Sequence, residues 1–274
     1  MGATRARRAE LDAACELFLQ RLTGPGDFLS GARRAAIARE AARAAECPPD
    51  VGFRQGGGPE LLQRVEGLGL ECTGSGALGC VVYCVSNLQE LLDAEWYESA
   101  AQKLSAELSA LGEFHGEHDE RVACLSELVA VVAGVVGVRK FYTAIGERMP
   151  PLPPATEGQP LFRCVSEFCC GGLGRTSYAW GFQVMKSQIV ATGLEKVGQS
   201  PSEWAAFTNP MNPFSKLTPA PLSMLHQLAW QEAMYVPLAD VRNMSAPVPS
   251  GRSLGRSDVE LTAATYAGAV HCSF

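Results

Sequence analysis

Apolar positions recur along most of the chain with the period of an α-helix. Residues 9–22 place five of them on one helical face: Leu11, Cys15, Phe18, Leu19 and Leu22. Ser30 is suited to cap a second, alanine-rich helix, which Pro48 and Pro49 would end. Helical spacing continues through 80–111, 125–146 and 218–234, and no Asn-Gly or Asp-Gly hairpin signal is present. The pattern therefore predicts an all-α fold.

Two of these segments permit a second interpretation. The valines of residues 125–146 would also suit a strand, but the length of the run and Gly146 at its end favour a helix. Arg33, Arg34, Arg39 and Arg43 are predicted to form the solvated face of the second helix, with a basic binding face as the alternative.

Glycine and proline mark the predicted connections. A short helical piece is expected near Pro59–Val65, followed by a loose stretch up to Gly79, in which GSGALG (74–79) is interpreted as a flexible loop rather than a phosphate loop. Residues 149–160, MPPLPPATEGQP, are the clearest linker, because proline favours extended backbone. The predicted divisions are an N-terminal unit (1–148), a linker with short helices (149–217) and a C-terminal unit (218–274).

Composition and charge exclude several classes of function. The chain of 274 residues is 47% hydrophobic and 19% charged, which is ordinary for a globular protein. Its net charge of −6 argues against nucleic acid as a partner. The early arginines are not followed by an apolar core, so we expect no targeting segment. The longest apolar run, Leu128–Val138, is too short to span a bilayer, which leaves at most peripheral docking on a membrane complex.

Ten cysteines are many for this length, but they form no pair of CxxC motifs. We interpret them as small buried residues in a reducing intracellular compartment, the cytoplasm or an organelle interior, with a disulfide framework or a metal cluster as alternatives. His115 and His118 are weak candidates for a metal site, since a third ligand would have to come from elsewhere. The run GEFHGEHDE around them is predicted to be a solvated connection.

Two segments that end in cysteine can be aligned without gaps. The end residues are eighteen positions apart in both segments, Leu29–Cys47 and Leu254–Cys272, and three alanines coincide between them. The second reads LxxxxxELxAxxxxxxxxC, which resembles the active-site helix of the alkylhydroperoxidase AhpD and carboxymuconolactone decarboxylase superfamily. Residues 125–154 are similar to the apolar helix and proline linker of the two-part members. The resemblance implies an AhpD-like helical bundle with a partial second repeat.

The resemblance also implies a candidate site and shows where the chain departs from the family. Glu260 and Cys272 stand at the first two motif positions, and His271 would lower the pKa of Cys272. The second cysteine would fall at position 275, beyond Phe274, and in the first copy Asp50 and Ala35 replace the second cysteine and the acid. Glu260 also completes a capping box that begins at Ser257, which is a structural alternative for its carboxylate.

Two functions follow from this reading. The first is a degenerate, non-catalytic AhpD-like protein, a structural or interaction subunit of a larger assembly, with a protein partner or a homo-oligomer implied by the resemblance. The alternative is a thiol-dependent alkylhydroperoxidase in which Cys272 is the nucleophile and Glu260 the base. A dithiol peroxidase needs one thiolate to attack the peroxide and a second thiol to resolve the sulfenic acid. We expect no cofactor in either case.

Overall fold

A computed structural model describes residues 2–47, 59–67, 76–88, 91–92, 94–110, 118–160 and 220–234, together with 255, 257–259, 261 and 265. Within these ranges the regular structure is helical and contains no strand, which confirms the predicted all-α class. The AhpD-like arrangement of the helices stays a prediction.

Seven helices have defined bounds. They are α1 (Gly2–Thr23), α2 (Gly31–Ala44), α3 (Pro59–Gly67), α4 (Gly76–Asn87), α5 (Ala94–Ala110), α6 (His118–Ala144) and α7 (Pro221–Met234). In the C-terminal segment, residues 257–259, 261 and 265 are also helical. None of the helices in the described ranges has the length and apolar character needed to cross a membrane.

The chain divides into two compact units, one comprising Leu19–His226 and the other comprising Met1–Phe18 with Gln227–Phe274. In the smaller unit, the rings of Phe18 and Trp230 stack with centroids 4.9 Å apart. The indole N–H of Trp230 donates to Cys15 Sγ at 3.4 Å. The predicted sequence boundaries after residues 148 and 217 stay predictions.

Helix α4 forms the centre of the larger unit, where it packs against α2, α3, α5 and α6. Seven consecutive residues, Gly79–Val85, are buried, because this helix is apolar on every side. Trp96 and Leu104 of α5 and Leu125 of α6 are buried around it. The predicted loose stretch up to Gly79 is therefore wrong over 76–79.

Helix α4 begins before the predicted position, and its first turn is stabilised by the carboxylate of Glu107, which lies later in the sequence. Gly76 has a φ of 86°, a left-handed conformation that glycine adopts without strain. Glu107 of α5 accepts the backbone N–H of Leu78 at 3.1 Å. The first turn of a helix has N–H groups without internal partners, and this contact satisfies one of them.

Helix α6 ends as its sequence predicts. Gly146 has a φ of 75°, and the N–H of Glu147 donates to the carbonyl of Tyr142 at 2.8 Å, which is the Schellman arrangement. The predicted connection around His118 is wrong from that residue onward, since α6 begins there.

Residues 149–160, which we call the strap, contain neither helix nor strand. Their extended backbone stays a prediction. The strap lies against the turn between α1 and α2. The N–H of Thr156 donates to the carbonyl of Thr23 at 3.3 Å. A Cβ at Gly31 would collide with the carbonyl oxygen of Thr156, so only glycine permits this approach.

Candidate functional site

The turn between α1 and α2 is the starting point of the candidate site. Gly24, Pro25 and Gly26 follow the end of α1, and the N–H of Gly26 donates to the carbonyl of Leu29 at 3.0 Å. Ser30 then caps α2 by accepting the N–H of Arg33 at 3.3 Å, as its sequence predicts. The turn consequently presents consecutive backbone N–H groups to the interior.

Glu127 of α6 occupies the concave side of this turn. Its carboxylate accepts the N–H groups of three consecutive residues, Asp27 at 3.1 Å, Phe28 at 2.6 Å and Leu29 at 3.0 Å. Successive N–H groups that converge in this way form an anion-binding nest. The nest is filled by a side chain of the same protein, 98 to 100 residues away in sequence.

Arg34 of α2 supplies the positive charge. Its Nη1 donates to Glu127 Oε1 at 2.5 Å and to Ser223 Oγ at 2.9 Å, while Nη2 donates to the carbonyl of Arg21 at 3.2 Å. The side chains of Arg34 and Glu127 have 0% exposure. Since charged side chains are fully buried only when paired, this ion pair is a defining feature of the core.

Asp27 connects the same turn to the beginning of α7. Its carboxylate accepts the N–H of Leu222 at 2.7 Å, the N–H of Ser223 at 3.0 Å and the hydroxyl of Ser223 at 2.8 Å. It therefore serves as the N-terminal cap of a helix that begins almost 200 residues later. Burial, and secondarily the neighbouring Glu127, raise the pKa of Asp27 from 3.8 to about 7.

These four residues, Asp27, Arg34, Glu127 and Ser223, are named the charge cluster below. All four are buried, and their hydrogen bonds go to one another and to the chain's own backbone. Gly26 closes the cluster on one side, because a Cβ there would collide with Glu127 and Arg34. Chemically, the arrangement holds the turn, α2, α6 and α7 together.

The charge cluster contains none of the candidate catalytic or metal-binding residues that the sequence suggested. Glu260, His271 and Cys272 fall outside the described residues, as does His115. His118 is the first residue of α6, and its side chain also falls outside them. Across the part of the chain that the structure describes, no group of three or more His, Cys, Asp or Glu is placed to hold a metal ion.

The described cysteines form no disulfide with one another, and most are buried. They are Cys15, Cys47, Cys80, Cys84 and Cys124, of which only Cys47 is partly exposed. Burial raises the pKa of Cys84 to about 12, and burial with nearby acidic groups, Glu66 foremost, raises the pKa of Cys80. A thiol needs a lowered pKa to act as a nucleophile at neutral pH, so Cys80 and Cys84 suit packing rather than redox chemistry.

The sequence analysis missed the charge cluster. Arg39 and Arg43 are exposed as predicted, but the prediction of a solvated face is wrong for Arg34. A signal existed in the spacing, because Arg34 stands three positions before Ile37 and seven before Ala41, both buried. A partner for its charge could not be read from α2 alone.

Comparison with known proteins identified no relative from which a role for this site could be assigned. No family model, no curated protein and no solved structure matches the chain.

Proposed function

We propose that this chain is a non-catalytic helical protein, AhpD-like in descent, that acts as a structural or interaction subunit of a larger assembly. The observation that carries the proposal is that the buried charged residues bind other groups of the chain itself. Arg34, Asp27 and Glu127 are fully buried. The two carboxylates accept backbone N–H groups of the turn and of α7, and Arg34 donates to Glu127, Ser223 and the carbonyl of Arg21. Groups held in this way stabilise a scaffold and present no reactive atom to a substrate.

The state of the buried thiols supports the same reading. Cys80 and Cys84 are both on α4 at the centre of the larger unit, and their raised pKa values keep them protonated at neutral pH. These two thiols therefore do not serve as a substitute for the second cysteine that the family's redox cycle requires.

The experiment is a hydroperoxide assay on the purified chain. Cumene hydroperoxide is supplied with dithiothreitol, and its loss is compared for the unmodified chain, the Cys272→Ser variant and buffer. We expect equal rates in all three. Turnover by the unmodified chain that the variant lacks would overturn the proposal.

The interaction half of the proposal is tested by the mass of the chain in solution. Light scattering during gel filtration should give a multiple of the 29.2 kDa chain mass if the partner is a second copy. A single-chain mass at every concentration would exclude self-association and restrict the proposal to a different protein as partner.

A second candidate function, a thiol-dependent alkylhydroperoxidase, is favoured by one sequence feature. Glu260 precedes Cys272 by twelve positions, and His271 adjoins the cysteine. In this reaction the Cys272 thiolate would attack the peroxide oxygen, releasing an alcohol and leaving a sulfenic acid, and a second thiol would condense with the sulfenic acid to form a disulfide and water. Glu260 would accept the thiol proton. The same assay decides, since this function requires that Cys272→Ser abolish turnover.

A further inference from the structure

The charge cluster contains more acidic than basic groups. Two carboxylates, Asp27 and Glu127, share a single guanidinium, that of Arg34, and all three side chains are excluded from solvent. An ionised carboxylate in such a place is costly unless it is matched by positive charge or by hydrogen bonds. The arrangement is therefore one negative charge away from balance.

The other titratable groups around Asp27 do not supply the missing positive charge. His226 lies in the second turn of α7, where burial, and after it Arg21 and Arg34, lower its pKa to about 3, so the imidazole is neutral. Arg21 of α1 contributes its carbonyl to Arg34. On the strap, Glu157 is exposed. A proton bound to one of the two carboxylates would balance the cluster.

Asp27 is better suited than Glu127 to hold this proton. Glu127 accepts four N–H donors, one of them a guanidinium, whereas Asp27 accepts three donors, the N–H groups of Leu222 and Ser223 and the hydroxyl of Ser223. Asp27 Oδ2 lies 2.8 Å from the Ser223 hydroxyl. Because a hydroxyl both donates and accepts, this contact persists whether Asp27 is ionised or protonated.

We propose that Asp27 carries an exchangeable proton in the closed charge cluster, and that loss of this proton loosens the start of α7, residues 221–226. The pKa of Asp27, raised by burial to about 7, agrees with this assignment. The charge cluster is thus a pH-sensitive latch on α7.

The sign of the effect follows from linkage. A form in which water reaches Asp27 has the ordinary pKa of 3.8, whereas the closed form has a pKa of about 7. The closed form therefore binds the proton more tightly, and its advantage is complete below pH 3.8 and is lost as the pH rises to about 7. His226 acts oppositely, because its lowered pKa makes the fold lose stability as the pH falls below 6.5.

The pH dependences of stability that arise from Asp27 and His226 have opposite signs and offset one another in the unmodified chain. Each group must therefore be removed separately. Unfolding by urea is measured from pH 5 to pH 8 for the unmodified chain, Asp27→Asn and His226→Gln. Relative to the unmodified chain, Asp27→Asn should gain about tenfold in its folding equilibrium constant for each unit that the pH rises between 5 and 7. His226→Gln should gain about tenfold for each unit that the pH falls below 6.5.

Glu157→Gln is the matched control, because it removes an exposed carboxylate of the strap. Its difference from the unmodified chain should not vary between pH 5 and pH 8. A role for Asp27 that is structural only would lower stability by the same factor at every pH, and a constant difference for Asp27→Asn would overturn the proposal.

Two measurements on chains that retain Asp27 keep the proposal testable if Asp27→Asn does not fold. The infrared difference spectrum between pH 6 and pH 8.5 should contain a protonated-carboxyl band at pH 6, both in the unmodified chain and in Glu157→Gln. Hydrogen exchange of the amides of Leu222 and Ser223, corrected for the intrinsic rate, should become faster over the same interval. Absence of the band, or exchange that does not change with pH, would overturn it.

Discussion

Two arginines of α2 show how differently one residue type is used on two sides of a helix. Arg34 has 0% side-chain exposure and pairs with Glu127, which is equally buried. Arg43, nine positions later, is 44% exposed and pairs at 2.6 Å with Glu40 on the same helix. The first contact joins segments far apart in sequence, and the second joins neighbours on one helical face.

This difference shows that the distance between two opposite charges does not by itself determine how much their pairing contributes to the free energy of unfolding. An exposed ion pair contributes about 0 to 1 kcal/mol, because water and salt screen it. In a buried pair the cost of desolvation offsets much of the attraction, yet removing one partner leaves the other charge buried and alone. The charge cluster is therefore a place where the chain tolerates few substitutions.

The largest effect should come from Arg34→Met, compared with Arg43→Met as a matched control. The first change leaves Glu127 without its cation and should lower the free energy of unfolding by about 3 to 5 kcal/mol. The second should lower it by about 0.5 kcal/mol or less. Urea denaturation monitored by circular dichroism measures both, and equal losses would contradict the comparison.

Gly26→Ala should have the next largest effect. The new Cβ would lie 2.8 Å from Arg34 Cδ and would also collide with Glu127, so the cluster must shift. We expect a loss of about 1 to 3 kcal/mol, measured by urea denaturation. Gly67→Ala is the control, because nothing lies within 4 Å of a Cβ there. A loss at Gly67 as large as that at Gly26 would show that the cost is not specific to the cluster.

Ser30→Ala should cost about 1 kcal/mol, because it removes the side chain that caps α2 at the entrance to the cluster. Thermal unfolding measures the change. Ser30→Asn should retain most of the stability, since asparagine is also a good N-cap residue. If both variants lost the same amount, the hydrogen bond to Arg33 would not be the cause.

The smallest effect is expected at the second surface pair, Lys103 with Glu66, whose charged atoms lie 2.5 Å apart. Both side chains are at least a third exposed, so Lys103→Met should cost less than about 1 kcal/mol. The cost should fall further in 1 M NaCl, where the Debye length is about 3 Å. If 1 M NaCl left the loss of stability unchanged, this pair would behave like the buried pair of Arg34 and not like the exposed pair of Arg43.

Much of the helical fold could be predicted from local pattern. Buried Cys15, Phe18, Leu19 and Leu22 recur at helical spacing, and glycine ends α6 at the predicted position. These features depend on a few neighbouring residues, so a single window of sequence contains the information. The absence of helix and strand from the strap was predictable for the same reason, because proline restricts its own backbone.

The charge cluster and the start of α4 could not be predicted, since both depend on partners distant in sequence. Glu107 stabilises the first turn of α4 from 29 residues away, and Ser223 meets Arg34 across 189 residues. An arginine in an alanine-rich helix is ordinarily solvated, and only the position of Glu127 makes burial of Arg34 tolerable. For the nominated site at Glu260, His271 and Cys272, the sequence prediction stands untested.

The turn that begins the charge cluster also fixes an order of events during protein synthesis. Residues 27–29 leave the ribosome about a hundred residues before Glu127, and Asp27 precedes Ser223 by 196. At about 5 to 20 residues per second, the aspartate waits roughly 10 to 40 s for its helix partner. The nascent N-terminal half thus emerges with an acidic group and an arginine that have yet to meet their final neighbours.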